Sequence, residues 1–244
     1  LVTATSRAYI SGAALAVSGA VSVTTAARSY ASADILTSQY SISVLNVSLL
    51  VTYAYARGTF QAYIDSTGAT MLTGSLSIST TYYATAYAAT GAAGGVGVSL
   101  ADVNSNEAFA SNNVSASSSL RGSGSMTVSG SINILTEGYA CSSATGRTHD
   151  FSVSALEVAV NYVEARLNIS QSAYINTTGS ITALGSVNVN SEIFNTGDFG
   201  KAEASVGGSG AGAHLSLIGV TVNEARSYAT SVNSAYIRGS GSIT

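Results

Sequence analysis

The side chains that could carry chemistry are few in this chain and lie far apart. His149 and His214 are the only histidines and stand 65 positions from each other, so no His-x-x-x-His or Cys-His ligand spacing arises. Cys141 is the single cysteine, which excludes an internal disulfide framework and a CxxC metal knuckle. His149 beside Asp150 offers an acid–base pair, but no Gly-x-Ser-x-Gly elbow supplies a nucleophile in a strand–turn–helix context. The glycine run Gly207, Gly208, Gly210, Gly212 lacks the following helix whose N-terminus would hold a phosphate. No aspartate ladder of the calcium-loaded β-roll kind is present. Cleavage of an acidic polysaccharide needs clustered cations and proton-transfer groups, whereas nine basic and twelve acidic residues are scattered over 244 positions. These residue types and spacings predict no catalytic centre, no metal and no cofactor. Four Asn-x-Ser/Thr sequons, at Asn46, Asn113, Asn168 and Asn176, carry no weight in a chain so rich in Ser and Thr.

The elements that would position any such group are legible in a repeat. Ala173, Tyr174, Ile175, Gly179, Gly185, Val187 and Val189 reappear with both glycine spacings intact as Ala62, Tyr63, Ile64, Gly68, Gly74, Leu76 and Ile78. A degenerate copy keeps Leu120, Gly124, Gly130, Ile132 and Ile134. The first copy, Ala8, Tyr9, Ile10, Gly19, Val21 and Val23, is one residue short before its glycine. A fifth begins at Ala235, Tyr236, Ile237 and Gly241 and stops at Thr244. The modules lie near 8–61, 62–117, 118–172, 173–234 and 235–244, and the pattern reads as one continuous unit over 1–244, a segment of a longer repeat protein.

Period-two alternation dominates, in Val21 and Val23, Ile42 and Val44, Leu76 and Ile78, Val96, Val98 and Leu100, Ile132 and Ile134, Leu156, Val158 and Val160, Val187 and Val189, and Leu215 and Leu217. That pattern predicts strands with one buried face, and no stretch sustains a helical stripe. Strands recurring at a fixed long period predict an all-β, parallel-stranded stack, a β-solenoid. A coil of roughly 20 residues would give about three coils per module, ~13 coils in all and a rod about 60 Å long. Glycines at Gly19, Gly68, Gly74, Gly124, Gly130, Gly179, Gly185 and Gly241 are expected at turns, where positive φ costs them nothing. Asn106 and Asn223 are expected at one corner, with Val163 and Thr52 interrupting an asparagine ladder, and Glu107, Glu164 and Glu224 at another.

Composition limits the partners. No proline or tryptophan is present, and 9% of residues are charged, so Ser, Thr, Asn, Ala and Tyr must cover the surface. A net charge of −3 without a basic cluster gives no footprint for nucleic acid. No apolar run approaches the roughly 18 residues of a membrane-spanning helix. In the Ala-Tyr-Ile triplet, alternation sends Ala and Ile inward and Tyr outward, so Tyr9, Tyr63, Tyr174 and Tyr236 form a candidate external stripe for adhesion or lateral packing.

The stretch GVGVSLADVNSNEAFASNNVSASSSLRGSGSMTVSGSINI, Gly95 to Ile134, and GVTVNEARSYATSVNSAYIRGSGSIT at the C-terminus resemble the repeats of filamentous-haemagglutinin-like giant bacterial surface proteins. The resemblance implies a right-handed parallel β-helix and an exported, extracellular rod: a non-catalytic adhesin, matrix or sheath component. It also implies end-to-end or lateral self-association and attachment to cell-surface glycans or proteins. It transfers no functional residues. The alternative expectation is a carbohydrate-binding or carbohydrate-active β-helix protein. An ice-binding solenoid would need regular Thr-x-Thr pairs, and few are present.

Overall fold

The computed structural model describes residues 1–244 apart from 13, 38–39, 93–94, 148–149, 196 and 208–213. Among these residues the chain is all strand, turn and bend, without a helix. A first pass comprises β1 (Val2–Gly12), β2 (Leu15–Val17) and β3 (Val21–Thr37). The second holds β4 (Tyr40–Ser66), β5 (Thr70–Leu72) and β6 (Leu76–Ala92), and the third β7 (Gly95–Gly122), β8 (Met126–Val128) and β9 (Ile132–Arg147). The fourth holds β10 (Asp150–Thr177), β11 (Ile181–Ala183), β12 (Val187–Ile193) and β13 (Lys201–Val206), and β14 (His214–Arg238) starts the next.

Like elements of successive passes lie side by side and parallel. The long sheet runs β1-β4-β7-β10-β14, the short corner sheet β11-β8-β5-β2, and the third sheet β12-β9-β6-β3, with β13 also on β9. Val2 faces Ala56, Tyr40 faces Val96, Gly95 faces Asp150 and Ser152 faces His214, which puts 54, 56, 55 and 62 residues between partners. One module is therefore one layer. The expectation of three coils per module fails because it assumed short strands, whereas a single strand of the long sheet takes up to 28 residues. Five strands at about 4.8 Å make a stack roughly 20 Å deep, while a 28-residue strand has a contour of about 90 Å. The layered unit is broad and shallow where the short-coil reading gave a thin 60 Å rod. All three sheets remain open at their outer strands.

Five of the seven extra residues of the fourth layer are localised. Up to Ile193 the third sheet keeps an offset of 55, with Val187 on Ile132, and from Lys201, which pairs with Cys141, the offset is 60. The insertion leaves the sheet as a turn around Gly197 and Gly200, both at positive φ (62° and 74°). Phe194 and Phe199 flank that turn and return to the sheet, the first stacked on Tyr139 at 4.5 Å and the second edge-on to it at 5.7 Å.

The core grades in side-chain size along the strands. At the corner end, Ile64, Leu72, Leu76, Ile78, Leu120, Ile132 and Ile175 pack into one cluster. Phe60, Tyr82, Val114 and Leu167 follow, and beyond them the interior is mostly alanine, with Ala54, Ala56, Ala86, Ala88, Ala108 and Ala110. A close-packed interior lined by methyl groups leaves little space between the sheets, so this zone requires small residues on both sides.

Polar ladders cross that interior. The hydroxyls of Thr25, Thr80 and Thr136, stacked on one another in the third sheet, donate to the backbone oxygens of Gln61, Ser117 and Ser172 in the long sheet at 2.9, 2.9 and 2.8 Å. Asn112 reaches across in the opposite direction and donates to the Ala84 and Cys141 oxygens at 2.7 and 2.9 Å. Tyr82 lies over Gly138, its register partner, and donates to Gln171 at 2.8 Å.

Glycine serves this stack mainly by close approach. Of the eight expected turn glycines only Gly19 has a positive φ, 139°. A Cβ on Gly124 would stand 1.9 Å from the Gly68 oxygen, and one on Gly179 2.0 Å from the Gly124 oxygen. The corner demands the absence of a side chain, and a left-handed backbone is not the reason there.

Candidate functional site

Alternation in the long sheet divides it into two halves of opposite character. From Thr52, Ala108 and Val163 onward the inward positions are buried and mostly apolar, including Ala62, Ile64, Ala173 and Ile175, with Asn112 and Gln171 as hydrogen-bonded exceptions. In the preceding half the inward positions are mostly polar: Ser41, Ser43 and Asn46 in β4, Asp102, Asn104 and Asn106 in β7, Ser152, Ser154, Glu157 and Asn161 in β10, with Leu50 and Ala159 as exceptions. Asp102 and Glu157 are each 4% exposed and adjacent in register, and Asn46 donates to Asp102 at 3.1 Å.

The outward face of the same half is apolar. In register it reads Ile42, Val98, Val153, Leu215; then Leu45, Ala101, Leu156, Ile218; then Val47, Val103, Val158, Val220; then Leu49, Ser105, Val160, Val222. Between the first two rows the ladder skips Val44, Leu100, Ala155 and Leu217, a kink shared by all four strands. Layers covered on both sides still show Val98 at 43%, Leu100 at 62%, Leu156 at 41% and Val160 at 38% exposure. The alternating apolar positions of the sequence thus split. Val21, Val23, Leu76, Ile78, Ile132 and Ile134 are buried, whereas Ile42, Val44, Val98, Leu100, Leu156, Val160, Leu215 and Leu217 are exposed, contrary to expectation. Alternation specifies that one face is apolar and leaves open which face meets the core. The Val96 and His214 side chains, together with His149, Gly208, Gly210 and Gly212, lie outside the described residues.

An asparagine ladder runs along the inward side. Asn106 donates to Asn161 at 2.9 Å and Asn161 to Asn223 at 2.8 Å, with Leu50 in the same row of β4. Thr52 and Val163, expected to interrupt this row, belong instead to a neighbouring one with Ala108 and Ala225. The same two-residue difference removes Glu164 from the row of Glu107 and Glu224, where Tyr162 stands. Glu164 pairs with Arg166 and accepts from the Tyr162 hydroxyl. Burial pushes its carboxyl up, but the Tyr162 and Arg166 hydrogen bonds and the charges of Arg166 and Arg226 hold it below the usual carboxylate range. The Tyr162 hydroxyl is raised, chiefly by its hydrogen bond to Glu164 and then by burial.

The tyrosine row is continuous in register: Tyr9, Tyr63, Ser119, Tyr174, Tyr236. Tyr9 stacks on Tyr63 and Tyr174 on Tyr236, each at 5.1 Å between centroids, and the Arg121 guanidinium lies 4.4 Å over Tyr63. A second aromatic ladder, invisible as a motif, joins Arg28, Tyr83, Tyr139 and Phe194 with ring spacings of 4.6 and 4.5 Å. Stacking of this kind uses the ring faces within the ladder. Tyr63, held between Tyr9 and Arg121, has no face left for a sugar ring.

Among the described residues no group of three or more His, Cys, Asp and Glu side chains is placed to hold a metal ion. The Cys141 thiol is pushed up, mainly by burial. No family model, curated protein or solved structure matches this chain.

Proposed function

We propose that this chain is a non-catalytic structural segment of an extracellular bacterial surface fibre, of the kind the filamentous-haemagglutinin-like resemblance implies. Its role is that of a scaffold for filament or matrix formation and cell attachment. The finer fold in this reading is a right-handed parallel β-solenoid with one module per turn. The observation that carries the reading is the strict layer-on-layer register: Ala8, Ala62, Ser118, Ala173 and Ala235 fall in one row, and Ile10, Ile64, Leu120, Ile175 and Ile237 in another. Rows of like residues add stability additively with each layer, as in repeat proteins, and extend without a change of design. Hydrogen-bonded threonine and asparagine ladders and stacked rings then hold the layers in register along the stack. Tyr63 is covered on both ring faces and Tyr83 and Tyr139 are stacked within a ladder, which favours scaffold over carbohydrate binding at these rings.

Electron micrographs and fibre diffraction of the purified chain test the proposal. Elongated stacks with an axial repeat near 4.8 Å are expected. Compact discrete particles without that repeat would sink it. In no described segment is a helix long and apolar enough to cross a membrane.

A further inference from the structure

The outward face of the polar-cored half poses a physical problem. Monomeric soluble proteins rarely expose a contiguous apolar patch beyond a few hundred Å². Here four strands at about 4.8 Å and eight residues at about 3.3 Å give a face of roughly 500 Å². Its four rows contain no charged side chain, and only Ser105 and small Ala101 interrupt the aliphatic residues. At one border the surface changes abruptly to Glu107, Tyr162 and Glu224, then to Tyr53, Phe109, Glu164 and Arg226. An apolar centre bounded by aromatic residues and charges of both signs is the anatomy of a protein interface.

We propose that this face is the docking surface for a second copy of the same chain, two such sheets packing face to face about a two-fold axis. Three observations select a second copy. An uncharged sheet face is chemically complementary to itself, and aligned sheet-on-sheet packing is the established way to cover one. The pair would bury roughly 1,000 Å² in total, at the threshold of a specific interface. The rim carries Glu107 and Glu224 in a chain of net charge −3, which disfavours an anionic lipid surface. The inverted pattern supports the same conclusion. The polar inward residues of this half, Asp102, Glu157 and Asn161, are already buried and hydrogen-bonded or otherwise engaged, and its apolar side stays exposed among the described residues. The proposal names the surface for lateral association within the fibre reading and takes its biological sense from it.

The test is mass in solution, by sedimentation equilibrium and light scattering on the full chain, for the wild type and for the double variant Leu100→Lys, Leu156→Lys. Both leucines lie in inner layers with their side chains outward, and the milder pair L100T, L156T guards against a folding defect. Below the concentration at which copies stack end to end the wild type should form a closed dimer, and each double variant should weaken it by roughly thirtyfold or more, with the melting temperature unmoved where both proteins are monomeric. A wild type that stays monomeric at about 100 µM overturns the proposal, because a standard interface binds well below that. So does a dimer that the variants leave intact, or open-ended growth that they leave unchanged, since that would be stacking through strand edges. A monomeric wild type that binds phosphatidylcholine vesicles through these leucines overturns it in favour of a membrane surface. Failure of the dimer with the axial repeat intact leaves the fibre reading standing, and the reverse result leaves the dimer standing.

Discussion

The side-chain amide of Asn106 donates to the carboxamide oxygen of Asn161 across adjacent layers at 2.9 Å. Asn161 passes the pattern on to Asn223, and it is 2% exposed, so neither of its bonds can be replaced by water. Asn161→Leu should destabilise the chain by about 1–3 kcal/mol, because it removes both bonds and strands the half-buried Asn106 donor, while exposed Asn223 can turn to water. Asn106→Leu should cost less, since Leu50 already occupies the neighbouring position of that row. Urea denaturation of both variants checks the order.

Gly124 sits on Gly68 so closely that an added Cβ would stand 1.9 Å from the Gly68 carbonyl oxygen. The obstacle is backbone in the layer beneath, which cannot rotate away as a flexible side chain could. Gly124→Ala should cost roughly 3 kcal/mol or more and push the layers apart at the corner. Gly12, with nothing within 4 Å of its Cβ position, is the internal control, and Gly12→Ala should be neutral within about 0.5 kcal/mol. Thermal melts of the two variants separate close approach from any general need for glycine.

What the sequence revealed was periodicity, and what it hid was scale. The Ala-Tyr-Ile and double-glycine spacings locate the rows correctly, because identical residues stacked on one another leave identical spacings. They are silent on how far the chain travels within a layer, which depends on whether alternation continues through polar stretches such as Asn104, Ser105 and Asn106. The sequence places the neighbours of Asn106 and Glu107 two residues away from their true rows for a related reason. Similar small polar residues recur every second position there, so several registers look alike until the backbone ladder fixes one. The apolar sheet face was unreadable in principle: Leu156, Val158 and Val160 have the pattern of a core strand, and only the buried Glu157 and Asn161 opposite them reveal that the faces are exchanged. Tyr83 and Tyr139 were likewise hidden, since their kinship lies between layers.

Thr80 joins the two large sheets through its hydroxyl, which donates to the Ser117 oxygen at 2.9 Å from a fully buried position. Valine matches threonine in shape, so Thr80→Val removes the bond with little change in packing. The expected loss is about 1 kcal/mol, the net worth of one such hydrogen bond. Thr25 and Thr136 occupy the adjacent rungs, so combining all three substitutions should depart from additivity. A series of single, double and triple variants followed by denaturation checks both points; strict additivity would mean that the rungs act independently.

Glu164 provides a pH test of the charged border of the apolar face. Its carboxyl is held below the ordinary range by Tyr162 and Arg166 against the opposing effect of burial. A depressed folded value means that the unfolded chain binds the proton more readily, so the contribution of Glu164 is complete above the unfolded value of about 4.3 and fades as pH falls through the folded one. Glu164→Gln should therefore lower the melting temperature at neutral pH, and the difference from wild type should close on acidification below about 4.3. Because Arg166 is largely exposed, high salt should narrow the gap as well. A difference that stays constant from neutral pH to well below that range would show that Glu164 acts by packing alone. Should the sheet face pair two copies, the same acidification would act at the rim and leave the uncharged rows between Val98 and Val160 untouched.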